Sequence, residues 1–193
     1  MWSSVSIPGK PVILLVDASV NLGGWEAQFC ARLCSSMVRR GLHLHGGAPV
    51  LVSCPEDLDP HLEPRGAFNT VLLFAHGRGE RVTPSASLSS YWKRLNFHGH
   101  LPPVLFAVCT WESYDPVVCQ DILESTSSFA PLALVPRTNL TPREAGLFFM
   151  KFFTELDLHS DDAITGKMVW FSWSKAKELL RRRRLMGTLG VRC

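Results

Sequence analysis

The sequence predicts an α/β domain on a mainly parallel sheet of five to six strands, and three observations carry that expectation. Short apolar runs rich in branched residues alternate with stretches of helical period, the pattern of a parallel sheet covered on both faces. Each apolar run is far too short for a membrane span. Helix-start and helix-stop residues stand at the ends of the intervening stretches.

The first strand is expected at Pro11–Asp17 (PVILLVD). Trp25, Phe29, Leu33 and Met37 then recur every four residues, an apolar stripe on a covering helix, and Gly41 follows as its C-cap. A second strand is expected at Ala48–Cys54 and a third at Thr70–Ala75. Leu88, Tyr91, Trp92 and Leu95 fit a short helix before a fourth strand at Pro103–Val108. Asp115-Pro116 reads as an N-cap with proline in the first helical position, opening a helix through VVCQDIL. A fifth strand is expected at Pro131–Val135. Thr141-Pro142-Arg143-Glu144 has the form of a capping box and opens the helix AGLFFMKFFTEL, and a last helix is expected from about Lys167 to Arg184.

With 193 residues the chain suits one domain, 1–193, with its core at about 11–186. Hydrophobic residues make up 46% and charged residues 19%, with six Trp and eleven Phe, enough apolar volume for a sizeable core. The net charge of +3 owes most to the four arginines Arg181–Arg184; without them the chain is nearly neutral, so nothing global points to nucleic acid. Met1–Lys10 is polar and the run Val12–Val16 stops at Asp17, so neither a signal peptide nor a membrane span is expected. The six cysteines (30, 34, 54, 109, 119 and 193) show no C-x-x-C spacing, and Cys30 and Cys34 fall one helical turn apart. A reduced, cytoplasmic chain with most thiols serving as small core residues is the expectation.

Parallel sheets gather ligands at the carboxyl ends of their strands, where loops collect and helix N-termini direct their dipoles. The third run ends in Ala75-His76-Gly77-Arg78-Gly79 and the fourth in Val108-Cys109-Thr110-Trp111-Glu112-Ser113. If these strands are neighbours, a histidine and a cysteine meet at one edge of the sheet. That pair suits nucleophilic catalysis: the thiolate attacks, and the imidazole takes its proton and returns it to the leaving amine. The dipole of the helix from Pro116 would lower the thiol pKa. Gly77, lacking a Cβ, lets its backbone N–H approach a scissile carbonyl and form an oxyanion hole with the N–H of Cys109.

A strand ending in His-Gly, followed some thirty residues later by a strand ending in Cys, resembles the caspase-like clan of cysteine peptidases. The order VLLFAHGRGE, PPVLFAVCTWES, PLALVPRTNLTPREAGLFFMKFFTEL most resembles its CHAT branch, over roughly Val12 to Leu156. The resemblance implies a caspase-like α/β/α sandwich and a Cys-His dyad hydrolysing peptide bonds. In it His76 is general base and acid, Cys109 the nucleophile, and Gly77 part of the oxyanion hole, with no metal or organic cofactor. It further implies an intracellular peptidase with a protein or peptide substrate and a regulatory partner protein. The caspase pentapeptide Gln-Ala-Cys-x-Gly is absent and Val108 precedes the cysteine, so an aspartate preference is not implied. In such peptidases the edge where Asp17 stands contributes to the pocket for the residue before the cleaved bond, where a carboxylate would favour Arg or Lys. Asp17 as a cap of the turn through Ser19 to Asn21 is the other reading.

Bland readings stand beside these. Cys109 alone reads as a buried strand-end thiol and His76 alone as a loop histidine; the pairing favours chemistry. His45-Gly46-Gly47 precedes a strand instead of ending one, and neither His43/His45 nor His98/His100 has Cys or carboxylate at metal-ligand spacing. Leu147, Phe148, Met150, Phe152 and Phe153 read as core, and Trp170 and Trp173 as anchors of the last helix. Arg181–Arg184 reads as a solvated helix end, with a partner-docking, nuclear-import or anionic-surface role as the alternative. A catalytically inactive caspase-like scaffold is the competing function. No G-x-S-x-G, Walker loop or G-x-G-x-x-G supports another hydrolase or a nucleotide-binding domain.

Overall fold

The computed structural model describes residues 6–18, 24–62, 67–76, 81–83, 86–87, 105–111, 132–134 and 140–188. Its elements, in chain order, are β1 (Ser6–Pro8), β2 (Val12–Asp17), α1 (Gly24–Arg39), β3 (His43–Leu44), β4 (Val50–Leu51), β5 (Thr70–His76), β6 (Arg81–Thr83), β7 (Ala86–Ser87), β8 (Leu105–Trp111), β9 (Leu132–Leu134), α2 (Pro142–His159), β10 (Ala163–Thr165) and α3 (Gly166–Thr188). The helices expected around Leu88–Leu95 and after Pro116 lie outside the described residues.

The central sheet has six strands, ordered β3-β2-β5-β8-β9 with β4 also on β2, and every pair is parallel. Mixed α/β architecture on a parallel sheet is therefore the fold class. Strands β2 and β5 are buried on both faces, which explains their unbroken apolar runs. Ile13, Leu15, Leu72 and Phe74 join the core formed with α1 and α2, while Leu14, Val16, Val71 and Leu73 are buried on the opposite face.

The strand expected at Ala48–Cys54 is present only as its short middle, β4, and a further fragment, β3, which the sequence pattern did not predict, precedes it. β3 pairs with the start of β2 and β4 with its end, and the 3-10 turn His45–Gly47 interrupts them. Gly46 and Gly47 both take positive φ (70° and 69°), which allows this break in the edge strand. Cys54 leaves the ladder to cap the 3-10 segment Pro55–His61, where the Asp57 carboxylate accepts the N–H groups of Ser53 (2.7 Å) and Cys54 (3.1 Å).

The ends of the helices explain their position. At the end of α1 the Leu42 N–H donates to the Met37 carbonyl and the Gly41 N–H to that of Val38, a Schellman motif with Gly41 at φ 78° and the apolar pair Met37–Leu42 buried beneath it. At the start of α2 the Thr141 hydroxyl accepts the Glu144 N–H (3.2 Å) and the Glu144 carboxylate accepts the Thr141 N–H (2.9 Å), the expected capping box. The Phe-rich stripe of α2 is core, as expected: Phe148, Phe152 and Phe153 are buried, and Leu147 and Met150 pack against them. α3 folds back along α2, with Ser160 against Met168 and Trp173 between Phe148 (4.5 Å) and Phe152 (6.0 Å). Trp173 is thus the expected anchor, but Trp170 is 58% exposed and does not share that role.

Two antiparallel ribbons escaped the sequence pattern: β1 with β10 and β6 with β7. The first buries Ile7 against Ile164 and is tied to the sheet by Asn69. The Asn69 side chain accepts the Val12 N–H (2.9 Å) and donates to the carbonyls of Lys10 (2.8 Å) and Pro8 (3.2 Å).

Candidate functional site

β5 and β8 are direct neighbours, paired in parallel over seven residues from Thr70↔Leu105 to His76↔Trp111. This is the adjacency required for His76 and Cys109 to share one edge. His76 is the last residue of β5, as its position after an apolar run suggested. Cys109 differs: β8 continues through Thr110 and Trp111, so the cysteine is inside the ladder and pairs with Phe74. Thr and Trp are strong strand formers, which explains the extension past the expected end at Val108.

Register places the candidates on two rungs. Asp17, Phe74 and Cys109 occupy one rung across β2, β5 and β8; His76 and Trp111 occupy the rung two residues nearer the carboxyl edge. Alternation puts these positions on one face of the sheet, the face of Phe74, whose ring meets Phe29 of α1 (5.7 Å) and Phe149 of α2 (5.9 Å). With strands about 4.8 Å apart and a rise of about 3.3 Å per residue, the Cα positions of His76 and Cys109 are roughly 8 Å apart. The described β8–β9 pairing ends at Ala107↔Leu134, before Cys109.

Asp17 closes β2 and is fully buried. Its carbonyl accepts the Val52 N–H (3.0 Å), and the next residue, Ala18, donates to the Phe74 carbonyl (2.8 Å), so backbone bonds on both sides hold the strand end. Ser19 to Asn21, the turn that Asp17 was expected to cap, lies outside the described residues, as does Gly77. α1 follows β2 and α2 follows β9, so both begin on the carboxyl side of the sheet, where their dipoles favour negative charge.

Burial pushes the Cys34 thiol up from its ordinary pKa. The Cys54 thiol is also raised, first by desolvation and then by hydrogen bonding to Glu56. Among the described residues no cluster of His, Cys, Asp and Glu is arranged to hold a metal ion, and no helix is long and apolar enough to cross a membrane. Sequence reasoning did not find Phe74 as the divider between Asp17 and Cys109, nor Trp111 as the register partner of His76; both follow only from strand pairing.

No protein-family model matches the chain, and no curated protein is significantly similar to it.

Proposed function

We propose that the chain is a cysteine endopeptidase of caspase-like, CHAT type, with Cys109 as nucleophile and His76 as general base and acid. The observation that carries this reading is the direct parallel pairing of β5 with β8, which sets the two positions two rungs apart on one face at the carboxyl edge. His76 takes the Cys109 proton, and the thiolate attacks the scissile carbonyl. The tetrahedral oxyanion is held by the N–H groups of Gly77 and Cys109. Collapse releases an amine protonated by the imidazolium and leaves a thioester, which a water activated by His76 then hydrolyses. Neither a metal nor an organic cofactor enters this scheme. Asp17, on the Cys109 rung, supplies the carboxylate that favours Arg or Lys before the cleaved bond. The substrate is a protein or peptide in the cytoplasm, and a regulatory partner protein controls access to the dyad.

The placement of Cys109 inside the ladder, not on a loop beyond it, favours a second reading, an inactive caspase-like scaffold. A thiol-directed acyloxymethyl ketone carrying arginine distinguishes the two. A peptidase is labelled in the wild type and not in Cys109→Ala or His76→Ala, with Asp17→Asn favouring a neutral-residue probe over the arginine one. Equal labelling of wild type and Cys109→Ala, with partner capture intact in both, establishes the scaffold.

A further inference from the structure

α3 has two unlike faces. Val169, Ser172, Ala176 and Leu180 are buried toward α2. The outward face begins with Trp170 (58% exposed) and Phe171 (41% exposed), and Phe171 lies edge-on to His159 (5.0 Å), next to Leu158, itself 65% exposed. Further along that side stand Lys175, over the Phe171 ring at 5.2 Å, then Lys177 and the basic run from Arg181. Residues 166–188 hold seven Lys and Arg against one acidic residue, Glu178, in a chain whose total is +3; the remainder is therefore net negative. Glu178 is engaged by Arg181 (2.9 Å) and Arg182 (2.7 Å), which fixes the cationic arms along the helix.

A convex helix face with large apolar side chains at one end and long cationic side chains along the rest matches the interface of an anionic bilayer. Rings and aliphatic groups enter the acyl boundary there, and Lys and Arg stems reach the headgroups. Single-stranded nucleic acid would use the rings by base stacking but gives Leu158 nothing. We propose that the outward face of α3, from Trp170 and Phe171 to Arg181 and Arg182, docks peripherally on an anionic phospholipid membrane.

The test is co-sedimentation of the full chain with phosphatidylcholine vesicles, with and without roughly a third phosphatidylserine. The chain sediments only with the anionic vesicles and is released several-fold by high salt. Lys175→Gln with Lys177→Gln weakens partition by roughly fivefold for each charge removed. Trp170→Ser with Phe171→Ser weakens it without changing the salt dependence. All four residues are exposed, so both double variants stay folded, which a melting curve of each checks before sedimentation. Sedimentation that ignores phosphatidylserine, or that neither pair of substitutions changes, overturns the proposal. Retention on single-stranded or duplex nucleic acid under conditions where the vesicles bind nothing overturns it in favour of that ligand.

Discussion

Replacing Phe74 by alanine empties the space between α1, α2 and the middle of the sheet. Its ring is fully buried and edge-packed on Phe29 and Phe149, so about 3–5 kcal/mol of stability is expected to be lost. Urea unfolding should show the midpoint falling at unchanged slope. Phe74 also separates Asp17 from Cys109 on their rung, so the same variant tests whether the candidate site tolerates a relaxed wall. Glu178 gives a residue-scale prediction of another kind. Hydrogen bonds from Arg181 and Arg182 hold its carboxyl down to about 2. A depressed carboxylate contributes stability above the usual carboxylate range, and that contribution is lost as pH falls through about 2. Glu178→Gln should therefore melt slightly below wild type at pH 6 and coincide with it near pH 2. The pair is exposed, so salt should shrink the difference.

At the scale of elements, chain punctuation governs where helices begin and stop. Gly41 has the left-handed φ of 78° that closes the Schellman motif of α1, and an added Cβ would meet nothing within 4 Å, so backbone strain alone decides the outcome of substitution. Gly41→Ala is expected to cost about 1 kcal/mol and Gly41→Asn less, read by thermal unfolding. Gly146 serves a different purpose, since a Cβ there would come within 3.1 Å of the Phe29 ring; its lack of a side chain lets α1 and α2 approach. Much of this was legible. The Thr141–Glu144 box, the Phe stripe of α2 and the doubly buried strands β2 and β5 announce themselves through local chemistry. Trp170 and Trp173 show where local pattern runs out. They sit three residues apart on α3, and only the position of Phe148 and Phe152 on α2 draws one inward and leaves the other outside.

At the scale of the whole molecule, the sheet order brings together runs that the sequence keeps apart. The apolar runs identified β5 and β8 separately, but their adjacency and register were conditional until pairing joined Thr70–His76 to Leu105–Trp111. At the edge, β4 falls within the expected strand, but β3 gave no signal, since two residues ahead of the His45–Gly47 turn are too few to show a period. The ribbons β1–β10 and β6–β7 gave no periodic signal, since two or three residues are too few to reveal a period of two.

The β1–β10 ribbon bears on how the chain acquires its shape over time. Ile7 can find Ile164 only after nearly all of the described polypeptide has been made, and closure of so long a loop is slow. During synthesis β2 can pair with β5 while Ser6–Pro8 still waits, its backbone donors met by water. The Asn69 clamp, formed from residues already emerged, holds Pro8 and Lys10 in place through that interval. The β1–β10 ribbon therefore locks late, and a ribosome-stalled chain cut short of Ala163 should stay open there to proteolysis.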